Sequence, residues 1–203
     1  MPMVVDLLNK QDPNSPMNLL LTDRFPNPST VREINRKGLG HLRYYPEEVD
    51  ATRLEMAPKG LKTMIASFHH MPPASARAIL HSASENSQPI LIYEIAKNTI
   101  PFLVWALFLP VSLLILMVMT WLMTPFVKSL TLSQVLLTYL IPVIPLVYAW
   151  DGQASLMRTY SFKDIESLLE GAKNPGYCWT LAPAKKANGK NLGYFIMGLP
   201  KNA

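Results

Sequence analysis

Charge is what this sequence has least of, and the shortage is local. No Asp, Glu, Lys or Arg lies between Lys97 and Lys128, or between Lys128 and Asp151. The uncharged gaps, 98–127 and 129–150, are 30 and 22 residues long, and each exceeds the roughly 20 residues that a helix needs to cross about 30 Å of hydrocarbon. Cysteine is almost missing as well. Cys178 stands alone, so no intramolecular disulfide forms, which excludes a disulfide-stapled secreted domain and suits a reducing compartment. No basic run with interleaved aromatics accompanies the net charge of +5, so the electrostatic footprint of nucleic-acid binding is absent. The opening MPMVVDLLNKQD has no basic stretch ahead of its short apolar segment and does not read as a signal peptide. No glycine precedes Gly38.

What is there divides into three: a polar N-terminal part (1–97), an apolar insert (98–150) and a polar C-terminal part (151–203). The first part alternates helix and strand signals. Residues 3–9 have a helical pattern, and NLLLTD (18–23) is continuously apolar, as strands buried on both faces are. A helix is expected from Ser29, its N-cap, to Lys37, ended by Gly38. LRYY reads as a short strand, KTMIASF (62–68) as a buried one, and PILIYEI (89–95) as another. Between the last two, a helix runs from Pro73 to Glu85. Such alternation predicts a parallel sheet flanked by helices. After the insert, SFKDIESLLEGA has Ser161 and Asp164 at capping-box spacing, and YCWTLA (177–182) with LGYFIMGL (192–199) predicts an antiparallel hairpin. A sheet begun before the insert is therefore finished after it.

The insert holds Pro101, Pro110 and Pro125 in its first half and Pro142 and Pro145 in its second, so neither of its two helices is expected to be straight. Because the flanking parts share a sheet, the insert must go out and come back. Two membrane geometries satisfy this: a hairpin crossing the bilayer twice, or kinked helices embedded in one leaflet. An ordinary buried core is the third possibility, but a domain of this size has little protein to cover 50 uncharged residues. Basic residues crowd the sheet side, which places the soluble part on the cytoplasmic face of an inner membrane. Trp105, Trp121, Tyr139, Tyr148 and Trp150 are candidate interfacial anchors, or simply packed apolar groups.

Three polar clusters are candidates for chemistry. In LLLTDRFPNP, the strand ends on Asp23, which either makes a turn by bonding its own backbone or holds a ribose hydroxyl at the end of a parallel strand. His69 and His70 follow the next buried strand. Either one suits a general base, and the competing role is a turn histidine bonded to backbone. In WDGQASLMRTYS, Asp151 and Arg158 would pair or bind a polar headgroup at the membrane surface, with Ser155 and Tyr160 assisting, or would merely seat the insert. Glu94 would face the cleft or cap a helix. No histidine, cysteine and acid cluster has metal-ligand spacing.

The strand ending in Asp23, PEEVDATRL with Asp50, KTMIASFHH, PILIYEI and the closing pair resemble, in that order, a class I S-adenosylmethionine-dependent methyltransferase. LLTDRFPN, SFHHM, LIYEI, YLIPVIPL, AWDGQASLMRTYS and YFIMGLPK resemble a bacterial subgroup in which apolar helices interrupt that fold after its fifth strand. The resemblance implies S-adenosylmethionine as cofactor, with Asp23 at the ribose hydroxyls and Asp50 with Ala51 at the adenine. It implies an α/β fold whose Rossmann-like sheet is interrupted by a transmembrane or membrane-embedded apolar hairpin. It implies methyl transfer to a hydrophobic or lipid-linked acceptor, with His69 or His70 as the base and membrane lipid as a partner.

The sequence departs from that family at its start. Members carry a first strand and a glycine-rich loop whose N–H groups approach the cofactor, whereas residues 1–9 here read as the helix after that loop. The expectation is an N-terminally truncated member with an incomplete sheet, whose bare strand edges a partner chain would complete. Two functions follow: a membrane-associated methyltransferase-like protein, or a non-catalytic membrane protein whose sheet remnant binds a partner. A channel is disfavoured because the insert has no charge to line a pathway.

Overall fold

The computed structural model describes residues 1–38, 40–95 and 100–201. Helix α1 (Pro2–Gln11) begins on a proline and leads to strand β1 (Leu19–Asp23). Helix α2 (Pro28–Arg36) follows, but its cap is Asn27 and not Ser29. The Asn27 side chain accepts the Ser29 and Thr30 amides, and the Ser29 hydroxyl donates to it at 2.6 Å. Asn bonds free N-terminal amides as well as serine does, and Pro28 fits the first helical position because it has no amide to lose. Strand β2 (Leu42–Glu48) pairs in parallel with β1.

Strand β3 (Lys62–Ile65) is shorter than the apolar run KTMIASF, because Ala66 takes a left-handed φ of 50° and turns the chain out of the sheet. A 3₁₀ turn, Phe68–His70, leads into α3 (Pro73–Glu85) and then β4 (Ile90–Glu94). Strand β4 alternates, with Ile90, Ile92 and Glu94 all buried on one face, so a carboxylate shares the face of two core isoleucines.

The insert supplies α4 (Phe102–Met123), α5 (Leu132–Val135), which runs into a π-helical turn at Leu136–Leu140, and α6 (Val143–Arg158). The 150/151 boundary falls inside α6, and the 97/98 boundary lies outside the described residues. Helix α7 (Phe162–Glu170) has the expected capping box between Ser161 and Asp164. The hairpin of β5 (Tyr177–Lys185) and β6 (Asn191–Pro200) closes the chain.

Among the described residues the strands form two sheets, not one. Strands β1 and β2 pair alone, while β3, β4, β6 and β5 lie side by side in that order, with β3–β4 parallel and the other pairs antiparallel. The fold is thus α/β with a mixed sheet. Among the described residues, β1, β2, β3 and β5 are edge strands. The core sits on the larger sheet, where Phe68, Ile79, Leu80, Ile92, Ile165 and Ile196 are fully covered. Burying each such side chain contributes about 1.5–3 kcal/mol.

Helix α4 runs unbroken through Pro110, and at 22 residues it is about 33 Å long. Its apolar window has mean hydropathy 2.7 and no buried residue. It is the one described helix long and apolar enough to cross a membrane, by length and composition. The second leg is broken, with Leu132–Leu140 and Val143–Arg158 meeting at 76°. Pro142 and Pro145 lack amides at the break, which explains why this leg bends while α4 continues. Indoles and a phenol stitch the legs together: Trp105 Nε1 donates to Gln153 Oε1 at 3.0 Å, Trp121 Nε1 to Thr138 O at 3.0 Å and Tyr139 to Trp121 O at 2.7 Å.

Candidate functional site

The buried acid on β4 has a use. Glu94 Oε2 lies 2.7 Å from Nδ1 of His69, and Oε1 accepts the amides of Phe68 at 2.7 Å and His69 at 3.2 Å. Both sites on the carboxylate are thereby occupied, which compensates the burial of a charge with three donors. An ionised carboxylate oxygen only accepts, so this contact favours a His69 ring with a proton on Nδ1. The His69 side chain is 10% exposed and that of Glu94 1%. His70 is exposed and stacks on His69 with ring centroids 4.2 Å apart. Of the two histidines, His69 is therefore the one that is held and oriented.

Access of β6 to this position depends on Gly193. Its φ is 122°, and a Cβ there would stand 2.0 Å from the Glu94 carbonyl oxygen. The next residue, Tyr194, pairs opposite Glu94 in the ladder and is buried. Burial, and then the Glu94 carboxylate, push its phenol well above the ordinary range, so it remains a hydrogen-bond donor.

Asp23 ends β1 and is exposed. Its Oδ1 accepts the Phe25 amide at 2.8 Å, so the turn expected from the sequence is made. Asp50 is more enclosed. Its Oδ1 accepts the Thr52 amide and hydroxyl at 2.9 and 2.7 Å, and Arg24 approaches Oδ2 at 3.4 Å. The Thr52 amide and then its hydroxyl hold the Asp50 carboxyl below its ordinary value, and Arg24 and Arg53 add to this. Arg24 also lies 3.9 Å from Glu48, and so ties the loop after Asp23 to the end of β2. Ala51 packs against the core. Among the described residues, no hydrogen bond or ion pair joins this acid pair to the His69–Glu94 dyad.

Asp151, Ser155 and Arg158 occur at i, i+4 and i+7 on α6, hence along one stripe. No ion pair forms between Asp151 and Arg158 among the described residues, since two helical turns separate them by about 10 Å. Tyr160 is placed differently. Its hydroxyl donates to the carbonyl of Met71 at 2.6 Å, just past the histidine turn. Among the described residues no group of His, Cys, Asp and Glu could hold a metal.

The role of Glu94 was open in the sequence. Its signal was an acid closing an apolar strand whose parallel neighbour leads into a histidine pair.

Neither a protein-family model nor a curated protein matches the sequence. Solved structures match in fold. LepI in complex with S-adenosylmethionine superposes with a TM-score of 0.50 at 13% identity, over 98% of this chain and 40% of LepI. An O-methyltransferase family 2 protein from Planctomyces limnophilus DSM 3776, in complex with apigenin, gives 0.47 at 10% identity, over 96% of this chain and 45% of that one. TnmH gives 0.47 at 16% identity, over 98% and 46%. This chain spans less than half the length of each. In fold, this chain is similar to LepI, solved in complex with S-adenosylmethionine.

Proposed function

We propose that this chain is the methyl-transfer domain of a membrane-seated, S-adenosylmethionine-dependent enzyme acting on a hydrophobic or lipid-linked acceptor. The observation that carries this reading is the His69–Glu94 dyad at the C-terminal ends of β3 and β4, the ends at which open α/β sheets place their ligands. When bound, the cofactor supplies an activated methyl group with its own leaving group, so the protein's work is positioning and proton transfer. His69 Nε2 takes the proton that the acceptor's hydroxyl, amine or acidic carbon gives up. Glu94 fixes the imidazole tautomer and stabilises the cation that forms.

The residues at the end of β1 suit the cofactor. Asp23 is exposed, with Oδ1 accepting the Phe25 amide and its carboxylate also bonded by the Tyr44 phenol, so a ribose diol would displace that phenol or use the remaining lone pairs. Asp50 and Ala51 would face the base. Asp50 is already bonded to Thr52 and faced by Arg24, so it accepts an exocyclic amine only if Arg24 swings toward Glu48. Membrane seating is supported by the unburied apolar surface of α4 and by the aromatic residues of both legs. The Asp151–Ser155–Arg158 stripe would meet the polar head of the acceptor or of neighbouring lipid, with the sheets on the cytoplasmic side. A partner chain would add a strand to the bare edges of β1 and β3.

Those same edges favour a second reading, a non-catalytic membrane protein whose sheets bind a partner. Isothermal titration of the detergent-purified chain with S-adenosylmethionine, beside Asp23→Ala, separates the two. Micromolar binding that Asp23→Ala abolishes supports the enzyme. A folded chain that gives no heat supports the binding module.

A further inference from the structure

The contacts around the dyad close into a ring that includes the end of the apolar insert. Glu94 holds the turn at residues 68–70 through two amides and His69 Nδ1. The far end of that turn, the Met71 carbonyl, accepts the Tyr160 hydroxyl at 2.6 Å. The Tyr160 carbonyl in turn accepts the Tyr194 hydroxyl at 3.2 Å, and Tyr194 is the ladder partner of Glu94. The Tyr160 ring lies 5.6 Å from the Phe68 ring, centroid to centroid. Tyr160 follows directly on α6: Thr159, its buried neighbour, donates its hydroxyl back to Ser155 O at 3.1 Å, and α6 itself packs against the 68–70 turn.

From this ring we infer that Tyr160 is a positioning residue through which the seating of the apolar helices sets the geometry of His69 and Glu94. Its hydroxyl fixes one end of a four-residue segment whose other end Glu94 fixes. A displacement of α6 moves Tyr160, Tyr160 pulls Met71, and the distance from His69 Nδ1 to Glu94 changes. The helices are themselves closely apposed at Gly152, where an added Cβ would be 3.4 Å from Leu116 Cδ1. A bulky residue there separates α4 from α6 at a point in the insert, away from the dyad. The dyad would then be correctly assembled only when the insert is seated in its proper surroundings. That is a built-in requirement for the membrane, resting on the reading of His69 as the working base.

The test is the imidazole Nδ1–H resonance of His69 and the exchange rates of the Phe68 and His69 amides, measured in micelles on wild type, Tyr160→Phe, Gly152→Leu and the double variant. Tyr160→Phe keeps the ring against Phe68 and removes one hydrogen bond. The expected result is a shifted His69 resonance with about fivefold faster amide exchange in Tyr160→Phe, as loss of a hydrogen bond worth about 1 kcal/mol gives. Gly152→Leu is expected to shift the resonance when Tyr160 is present and to add nothing in the double variant, the signature of a shared path. An unchanged His69 resonance in folded Tyr160→Phe overturns the inference. So does an effect of Gly152→Leu that is the same with and without the hydroxyl. Should Tyr160→Phe fail to fold, Gly152→Leu alone decides: a shift upholds the coupling and an unchanged resonance overturns it. None of these readouts needs cofactor or acceptor, so they stand apart from the titration that tests the enzyme reading.

Discussion

Glu94 places a carboxylate oxygen 2.7 Å from Nδ1 of His69, across the ends of two neighbouring parallel strands. The pair is built by the fold and not by sequence proximity, because β3 and β4 run in register from Lys62↔Ile90 to Ile65↔Tyr93 and deliver both residues to one end.

Glu94→Gln is the sharpest test of the tautomer. A glutamine amide offers N–H where the carboxylate accepted, so the ring would turn its lone pair to Nδ1 and its proton to Nε2, the wrong arrangement for a base. Methyl transfer is expected to fall by about 10²–10⁴, while stability falls by only about 1–3 kcal/mol, because the Phe68 amide keeps an acceptor. Long-range ¹H–¹⁵N spectra of the His69 ring report the tautomer, and a denaturant titration reports the stability.

Gly193→Ala is expected to be among the most damaging single-methyl changes in the chain. A Cβ at 2.0 Å from Glu94 O, on a backbone at φ 122°, forces β6 away from β4. The loss should reach about 3 kcal/mol or more, since steric overlap adds to left-handed strain. A thermal melt beside the open-turn control Gly189→Ala, where nothing lies within 4 Å of the added Cβ, isolates the clash from the φ penalty.

Asp164 carries a pH dependence. The Ser161 hydroxyl and then its amide hold its carboxyl below the ordinary value, so the folded state binds this proton less readily than the unfolded chain. The cap is therefore fully effective above the unfolded value of about 4 and is lost as pH falls through the lower folded one. Asp164→Asn should lower stability by about 1 kcal/mol at pH 7. The gap to wild type should close under acid, as denaturant midpoints from pH 7 to pH 2.5 would reveal.

Leu114→Arg distinguishes lipid from water around α4. Leu114 is 57% exposed, and in water an arginine there would be harmless. In hydrocarbon it costs about 3 kcal/mol. The variant should leave the alkali-resistant membrane fraction far more readily than wild type, and equal retention of the two would argue against a lipid-facing α4.

Most elements were legible before the structure was known. The apolar runs at 18–23, 62–68 and 89–95, the capping box at Ser161 and the closing hairpin all follow from local pattern. Nonlocal features were not. Whether strands join one sheet or two depends on edges that periodicity does not mark, and the alternating β4 hides its acid among core positions. The end of β3 at Ala66 is a backbone conformation that alanine rarely signals. Asn27 outcompeted Ser29 as a cap because Pro28 fixed where the helix starts. Tyr160 was open between assisting at the membrane surface and seating the insert, and its hydroxyl donates to Met71, a contact across 89 residues that no spacing rule reaches.

The central claim is methyl transfer assisted by His69. It is tested most directly by incubating membranes that contain the protein with methyl-labelled S-adenosylmethionine and extracting the lipid fraction, for wild type and His69→Gln in parallel. The account predicts label in an organic-soluble product from wild type and incorporation at least about a hundredfold slower for His69→Gln. Equal incorporation by the two, or none by folded wild-type protein that binds the cofactor, would contradict it.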